Sequence, residues 1–171
     1  MLVLFATARS GGFSAPLIGM DTAVGSNFIG SGNFVGTGNA ADNVISGGSG
    51  NDTITGGAGA DQLSGGAGAD LFVYATVADS GKAGRDAVTD FSSLAGDKID
   101  FHLIDANTGV AGNQAFTFIG LAAFSGTAGE LRYAQASTNA GIAGDVNGDG
   151  LADFSLSLTG THPLTTADFV L

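Results

Sequence analysis

Along the first half of this chain a large apolar side chain returns at every ninth position: Ile45, Ile54, Leu63 and Phe72. Its immediate neighbours are mostly small or polar, as in TIT (53–55) and QLS (62–64). A single apolar residue at the centre of such a triplet fits a very short strand that turns one side chain inward. Strands this short cannot build a core alone. The pattern therefore predicts a coil whose successive strands stack in parallel, with a six-residue loop at each turn, each turn borrowing contact from its neighbours. LFVY (71–74) is apolar on both faces and reads as the place where the coil stops and a second unit packs over it.

After residue 74 the period shortens to two. DAVTDF (86–91) and DKIDF (97–101) read as short strands. AFTFIG (115–120), ELRYAQ (130–135) and DFSLSLTG (153–160) alternate apolar and polar residues between Gly, Asn and Asp turn signals. Leu103 to Gly109 and Leu121 to Phe124 read as single helical turns, and no segment supports a longer helix. The chain is thus expected to be all-β: residues 1–24 a lead-in or capping segment, 25–74 a parallel coil, and 75–171 an antiparallel sandwich. The start, MLVLFATARS, has no basic residue before its apolar run and lacks the layout of a cleaved signal peptide.

The loops between the coil strands carry the chemistry. Residues 47–73 repeat one nine-residue phrase three times without a gap: GGSGNDTIT, GGAGADQLS, GGAGADLFV. Glycine holds the first, second and fourth places of each phrase, and Asp52, Asp61 and Asp70 close the loops. A calcium ion takes roughly six to eight oxygen ligands. A short loop supplies that many only by turning carbonyls inward, which glycine permits. The expected ligands are the carboxylates of Asp52, Asp61 and Asp70 and the carbonyls of Gly48, Gly50, Gly57, Gly59, Gly66 and Gly68. Loop 47–52 should share an ion with 65–70, one full turn away. The worn repeat GNAADNVIS (38–46) should contribute Asp42 to loop 56–61. In a still earlier turn Phe34 stands where the aspartate belongs and Gly36 where the apolar residue belongs, so this turn reads as a cap with little metal affinity, or as irregular loop. A plain Gly/Ser/Ala linker has no reason to hold aspartate and a large apolar residue at fixed phase.

Two further acidic groups admit two readings each. Asp145, Asn147, Asp149 and Asp153 in DVNGDGLAD have the alternate oxygen spacing of the first half of an EF-hand loop, but Leu156 stands where the closing glutamate would be. The other reading is a polar hairpin turn. Asp86 and Asp90 either complete a terminal cation site beyond the last loop or are surface aspartates beside strands. His102 and His162 lie in no zinc pattern, and no nucleophile motif is present.

Composition sharpens this picture. Of 171 residues 44% are hydrophobic, enough for a core, and 30 are glycine, largely in repeats and turns. Sixteen acidic residues, fifteen of them Asp, face five Lys and Arg, for a net charge of −11. Such a chain repels nucleic acid and anionic membranes. The same charge makes a metal-free coil self-repelling, so cations should drive its folding. The absence of cysteine excludes disulfides and thiolate chemistry.

The phrase GGxGxDxUx resembles the nonapeptide of RTX parallel β-rolls. From about residue 25 onward the succession of motifs, through DAVTDF, DKIDF, AFSGTAGELRY and GDVNGDGLADFSLSLTG to the ending LTTADFVL, resembles the C-terminal domain of serralysin-type metalloproteases. That resemblance implies a calcium-filled roll joined to a β-sandwich, acting as a folding aid and as an address for type I export from a bacterium. It also implies that Asp168, Phe169, Val170 and Leu171, an acid followed by three apolar residues, are the part met by the secretion apparatus. The zinc catalytic domain of that family has no counterpart here, so proteolysis is not implied, although an upstream effector domain in a parent protein is. The alternative is an adhesin or polysaccharide-binding module of a secreted enzyme. It would call for exposed cationic or aromatic residues along the roll, and residues 25–73 contain no Lys or Arg.

Overall fold

The computed structural model describes residues 27–29, 32–81 and 84–171, with side chains from Gly32 onward. The lead-in expected over residues 1–24 lies outside them. The coil opens with β1 (Asn27–Ile29), β2 (Val35–Thr37), β3 (Val44–Ser49), β4 (Thr53–Thr55), β5 (Gln62–Ala67) and β6 (Leu71–Val73). Odd-numbered strands stack in one sheet and even-numbered strands in the other, all in parallel. The register matches the nine-residue phase: Ile45 lies beside Leu63 and Ile54 beside Phe72. All four of these side chains are buried. β3 and β5 run six residues, because the first residues of loops 47–52 and 65–70 pair as strand, Gly48 with Gly66 and Ser49 with Ala67.

The N-terminal turn solves its odd sequence by exchange. A Cβ on Gly36 would stand 2.4 Å from the Phe34 ring. Phe34 is buried, so its ring fills the core slot that Gly36 leaves empty.

Beyond residue 74 the chain keeps coiling. β7 (Ala87–Val88) pairs in parallel with β5, and β8 (Lys98–Asp100) pairs in parallel with β6. Val88 and Ile99 extend the two apolar columns. Only then does the topology change. β9 (Thr117–Phe118), β10 (Glu130–Gln135), β11 (Asn139–Asp145) and β12 (Phe154–Thr159) follow, and β10–β11–β12 is an antiparallel meander. β12 lies parallel to β7, so the meander continues the odd-numbered sheet, whose order is β1-β3-β5-β7-β12-β11-β10-β9. A 3₁₀ turn, Thr166–Asp168, leads into β13 (Phe169–Val170), which lies parallel to β8 and closes the other sheet as β13-β8-β6-β4-β2.

The fold is all-β as expected, a parallel roll with a sandwich at its C-terminal end, the two sharing their sheets. β11, NAGIAGD, carries small residues where an apolar alternation would have announced it; a Cβ on Gly144 would meet the Phe154 ring at 2.3 Å. The segments 103–109 and 121–124 hold turns and bends, with no helix. Between the sheets the C-terminal core is aromatic, with Phe101 at 5.6 Å from Tyr74, 5.2 Å from Phe154 and 6.2 Å from Phe169.

Candidate metal centre

The loops stack in two columns, one on each side of the roll. In the first, the backbone N–H of Phe34 donates to Asp52 Oδ1 (2.8 Å), that of Asp52 to Asp70 Oδ1 (2.9 Å) and that of Asp70 to Asp97 Oδ1 (3.0 Å). In the second, the N–H of Asn43 donates to Asp61 Oδ1 (2.7 Å) and that of Asp61 to Asp86 Oδ1 (2.9 Å). Each aspartate thus spends one oxygen on the turn before it.

The other oxygen is what sets these residues apart. Among the described residues seven buried side-chain polar atoms have no hydrogen-bond partner, and four of them are Oδ2 of Asp52, Asp61, Asp70 and Asp86. A buried carboxylate oxygen without a partner is costly. Burial pushes the metal-free carboxyls of Asp52 and Asp70 above the usual range, against the lowering effect of their backbone N–H partners. Burial likewise pushes Asp61 up to about 6 and Asp86 up to about 7, with neighbouring acids adding to both.

Glycine serves the loops in two ways. At the second and fourth places φ is positive, from +91° to +131° over Gly48, Gly50, Gly57, Gly59, Gly66 and Gly68. A Cβ on Gly66 or Gly68 would also stand 2.0 Å from the carbonyl oxygen of Gly48 or Gly50 in the loop one turn back. At the first place the need is space. A Cβ on Gly47, Gly56 or Gly65 would lie 2.1–2.3 Å from Oδ2 of Asp52, Asp61 or Asp70. The unpartnered oxygens therefore face loop backbone kept bare of side chains. Among the described residues no three acidic or imidazole side chains converge as a metal cluster. A cation here must draw on carbonyls as well as on aspartates. An all-oxygen set of that kind suits a hard divalent ion such as calcium, and the residues present fit one.

Several residues take places the sequence pattern alone left open. The loop-closing place in 38–43 belongs to Asn43, which is buried and accepts the Asn39 N–H at 2.8 Å. Asp42, one residue earlier, is exposed, and its Oδ1 accepts the Ala60 N–H at 2.9 Å. Neutral Asn33 and Asn51 make the same bond to Asn51 and Ala69, so this place does not require charge. Asp86 joins the second ladder. Asp90 does not: it is exposed and accepts from the Ser64 hydroxyl and the N–H groups of Gly65 and Gly66. Asp97 stands outside the glycine phrases. It ends the first ladder, and its Oδ2 accepts the Ser92 N–H at 2.8 Å. Its signal was present, since Asp86-Ala87-Val88 and Asp97-Lys98-Ile99 repeat the Asp-x-apolar ending of the full phrases without their glycines.

The family described as peptidase M10 serralysin C terminal matches residues 25–171, the stretch that holds the whole ladder. The chain belongs to this family. It is a family of RTX-type calcium-binding β-roll domains. Two solution structures share the fold of this serralysin C-terminal domain, both subunits of the Azotobacter vinelandii mannuronan C5-epimerase. AlgE6R3 superposes with a TM-score of 0.58 at 24% identity, covering 95% of this chain and 86% of that one. AlgE6R2 gives 0.54 at 22% identity, covering 88% and 92%. No curated protein matches the chain.

The second acidic group of this serralysin-type domain behaves differently. The stretch after β11 is the connection to β12. Asp145 is buried, but it accepts N–H groups from Asn147, Gly148 and Gly150, using both oxygens. Asp153 accepts the Val146 N–H and the Asn147 amide, Asp149 the Leu151 N–H, and Asn147 Oδ1 the Asp149 N–H. The turn closes on itself. His102 rests on Asp100, and His162 on the Thr159 carbonyl and the edge of the Phe91 ring. Among the described residues no helix is long and apolar enough to cross a membrane.

Proposed function

We propose that this chain is a non-catalytic calcium-binding module that gains its cohesion from calcium outside the cell and carries an address for type I export. The observation that supports it is the set of four buried aspartate oxygens, on Asp52, Asp61, Asp70 and Asp86, left without a protein partner. Calcium would supply the positive charge that these oxygens lack. The chain's own part is to hold Oδ1 of each aspartate by a backbone N–H of the turn before, which leaves Oδ2 of Asp52, Asp61 and Asp70 beside the first glycine of its own loop. Where calcium is scarce the carboxylates repel and the coil stays loose. In abundant calcium the paired loops close. A dissociation constant of ~10⁻⁴–10⁻³ M, usual for extracellular modules, suits such a change of compartment.

Half of the proposed address, Asp168 and Phe169, is buried in the finished domain, while Val170 is exposed. Asp168 is buried and accepts the N–H and hydroxyl of Thr165. Phe169 is buried beside Ile99, the Lys98 ammonium donates to the Ala167 carbonyl, and Val170 O accepts the Phe101 N–H. A secretion apparatus that reads Asp168 to Leu171 therefore reads them before the domain folds. Calcium titration followed by circular dichroism tests the module: EGTA should remove most of the roll's β-signal and calcium should restore it. A chain equally folded in EGTA refutes the reading.

A further inference from the structure

The turn between β11 and β12 takes no part in the loop columns, and its sequence holds a chemistry of its own. Asn147 is the only asparagine of the chain that is followed by glycine. The turn requires that glycine: Gly148 has a φ of +76°, and a Cβ there would stand 3.0 Å from the Ala128 nitrogen. A glycine also leaves its own nitrogen open to the preceding side chain, because no Cβ shields it. An asparagine so placed is chemically unstable. The Gly148 nitrogen attacks Cγ of Asn147 and gives up its proton to water. The bond from Cγ to Nδ2 breaks, ammonia leaves, and a cyclic imide remains. Water then opens the imide at either carbonyl, so the product is aspartate or isoaspartate. Water is the only co-reactant.

The folded turn ties down every group in that step. The Gly148 N–H donates to Asp145 Oδ1 at 2.7 Å. Asn147 Nδ2 donates to Asp153 Oδ1 at 3.1 Å, and Asn147 Oδ1 accepts the Asp149 N–H at 2.8 Å. The amide that must turn onto the Gly148 nitrogen is thus held at both ends. Asn147 is exposed, so these bonds, and not burial, are the shield. The product cannot restore them. Aspartate at 147 has no N–H to give to Asp153, and it adds a charge beside Asp145, Asp149 and Asp153. Isoaspartate lengthens the backbone by a methylene, which shifts the N–H groups of Gly148 and Gly150 away from Asp145. Asp145 is fully buried and accepts from both, and a buried carboxylate that loses its donors is costly.

We propose that Asn147 is a self-modifying site kept silent by the fold. It converts while the β11–β12 turn is open, and the converted turn closes poorly, so the chain carries a record of the time it has spent unfolded. None of these groups belongs to the loop columns, so the site stands whether or not the roll takes calcium. The test holds the full chain at mildly alkaline pH in two arms, calcium buffer and urea with EGTA, and samples both over days. Each sample is then unfolded and cut with trypsin, which frees residues 133–171, and fragment masses locate any amide turned acid. In urea Asn147 should convert, while Asn139, in the same fragment but followed by Ala140, stays intact. In calcium the conversion should be at least about tenfold slower, because it waits on opening of the turn. Asn147→Asp, made in place of the product, should show faster amide exchange over residues 145–153 in calcium than the unaltered chain. An intact Asn147 after long exposure to urea overturns the site. Equal rates in the two arms overturn the shield. An Asn147→Asp chain as well protected as the unaltered one overturns the handicap.

Discussion

The roll loops and the β11–β12 connection are both rich in aspartate, and they use it in opposite ways. Asp145, Asp149 and Asp153 give their oxygens to N–H groups of their own turn. Asp52, Asp61 and Asp70 give one oxygen to another turn of the coil and leave one open. The first arrangement is complete in itself. The second is an incomplete circuit that a cation closes. Acidity and spacing alone do not separate them. The bond each carboxylate lacks does.

Calcium removal should break the comparison most plainly. In EGTA, amides of residues 44–73 should lose nearly all hydrogen-exchange protection, and those of the β10–β12 meander should lose less. Equal loss would mean that the two regions are not distinguished by cations. Proton uptake is a weaker substitute, reaching chiefly Asp61 and Asp86. Asp61 faces Asp42 and Asp79, and Asp86 faces Asp61, Asp79 and Tyr74. Their metal-free folded pKa values, about 6 and about 7, lie above the ordinary 3.8. The native state therefore binds more protons than the unfolded one between these limits, and its stability falls as pH rises. Thermal melts in EGTA should show a higher midpoint near pH 5 than near pH 8, a difference that calcium should abolish.

Single substitutions sharpen the contrast. Asp70→Asn should remove a cation site worth ~2.7 kcal/mol when calcium stands 100-fold above its dissociation constant, read as a lower denaturation midpoint in calcium and little change in EGTA. Gly36→Ala, which drives a methyl group into the Phe34 ring, should cost about 1–3 kcal/mol in calcium without changing the number of ions bound. Asp149→Asn should stay within about 0.5 kcal/mol. A calcium-dependent loss there as large as that of Asp70→Asn would move the β11–β12 connection into the cation-binding class.

Much of the roll was legible because its period is written twice, in glycines and in apolar residues. Ile45, Ile54, Leu63 and Phe72 could be set in the core from spacing alone. Legibility failed where one of the two marks was missing. Asp86 and Asp97 keep the apolar partner and lose the glycines, so the last turn read as the start of another unit. In the worn repeat the expected ligand is Asp42, whereas strict phase places Asn43 at the loop-closing position. β11 was hidden because two of its inward places are the small residues Ala140 and Gly144, and Gly144 leaves room for the Phe154 ring of the neighbouring strand. That accommodation is made across strands, and no window along the chain displays it.

The ladder bonds all run one way. The N–H of each loop-closing residue reaches forward to a carboxylate that comes later in the chain, 18 to 27 residues on. In this ladder each loop-closing N–H is met by the turn that follows, whereas the side chains of Asn33, Asp42 and Asn51 take N–H groups from a later turn in the opposite sense. If the C-terminal end emerges from a channel first, the acceptors are already outside when their donors arrive, and winding can keep pace with transit.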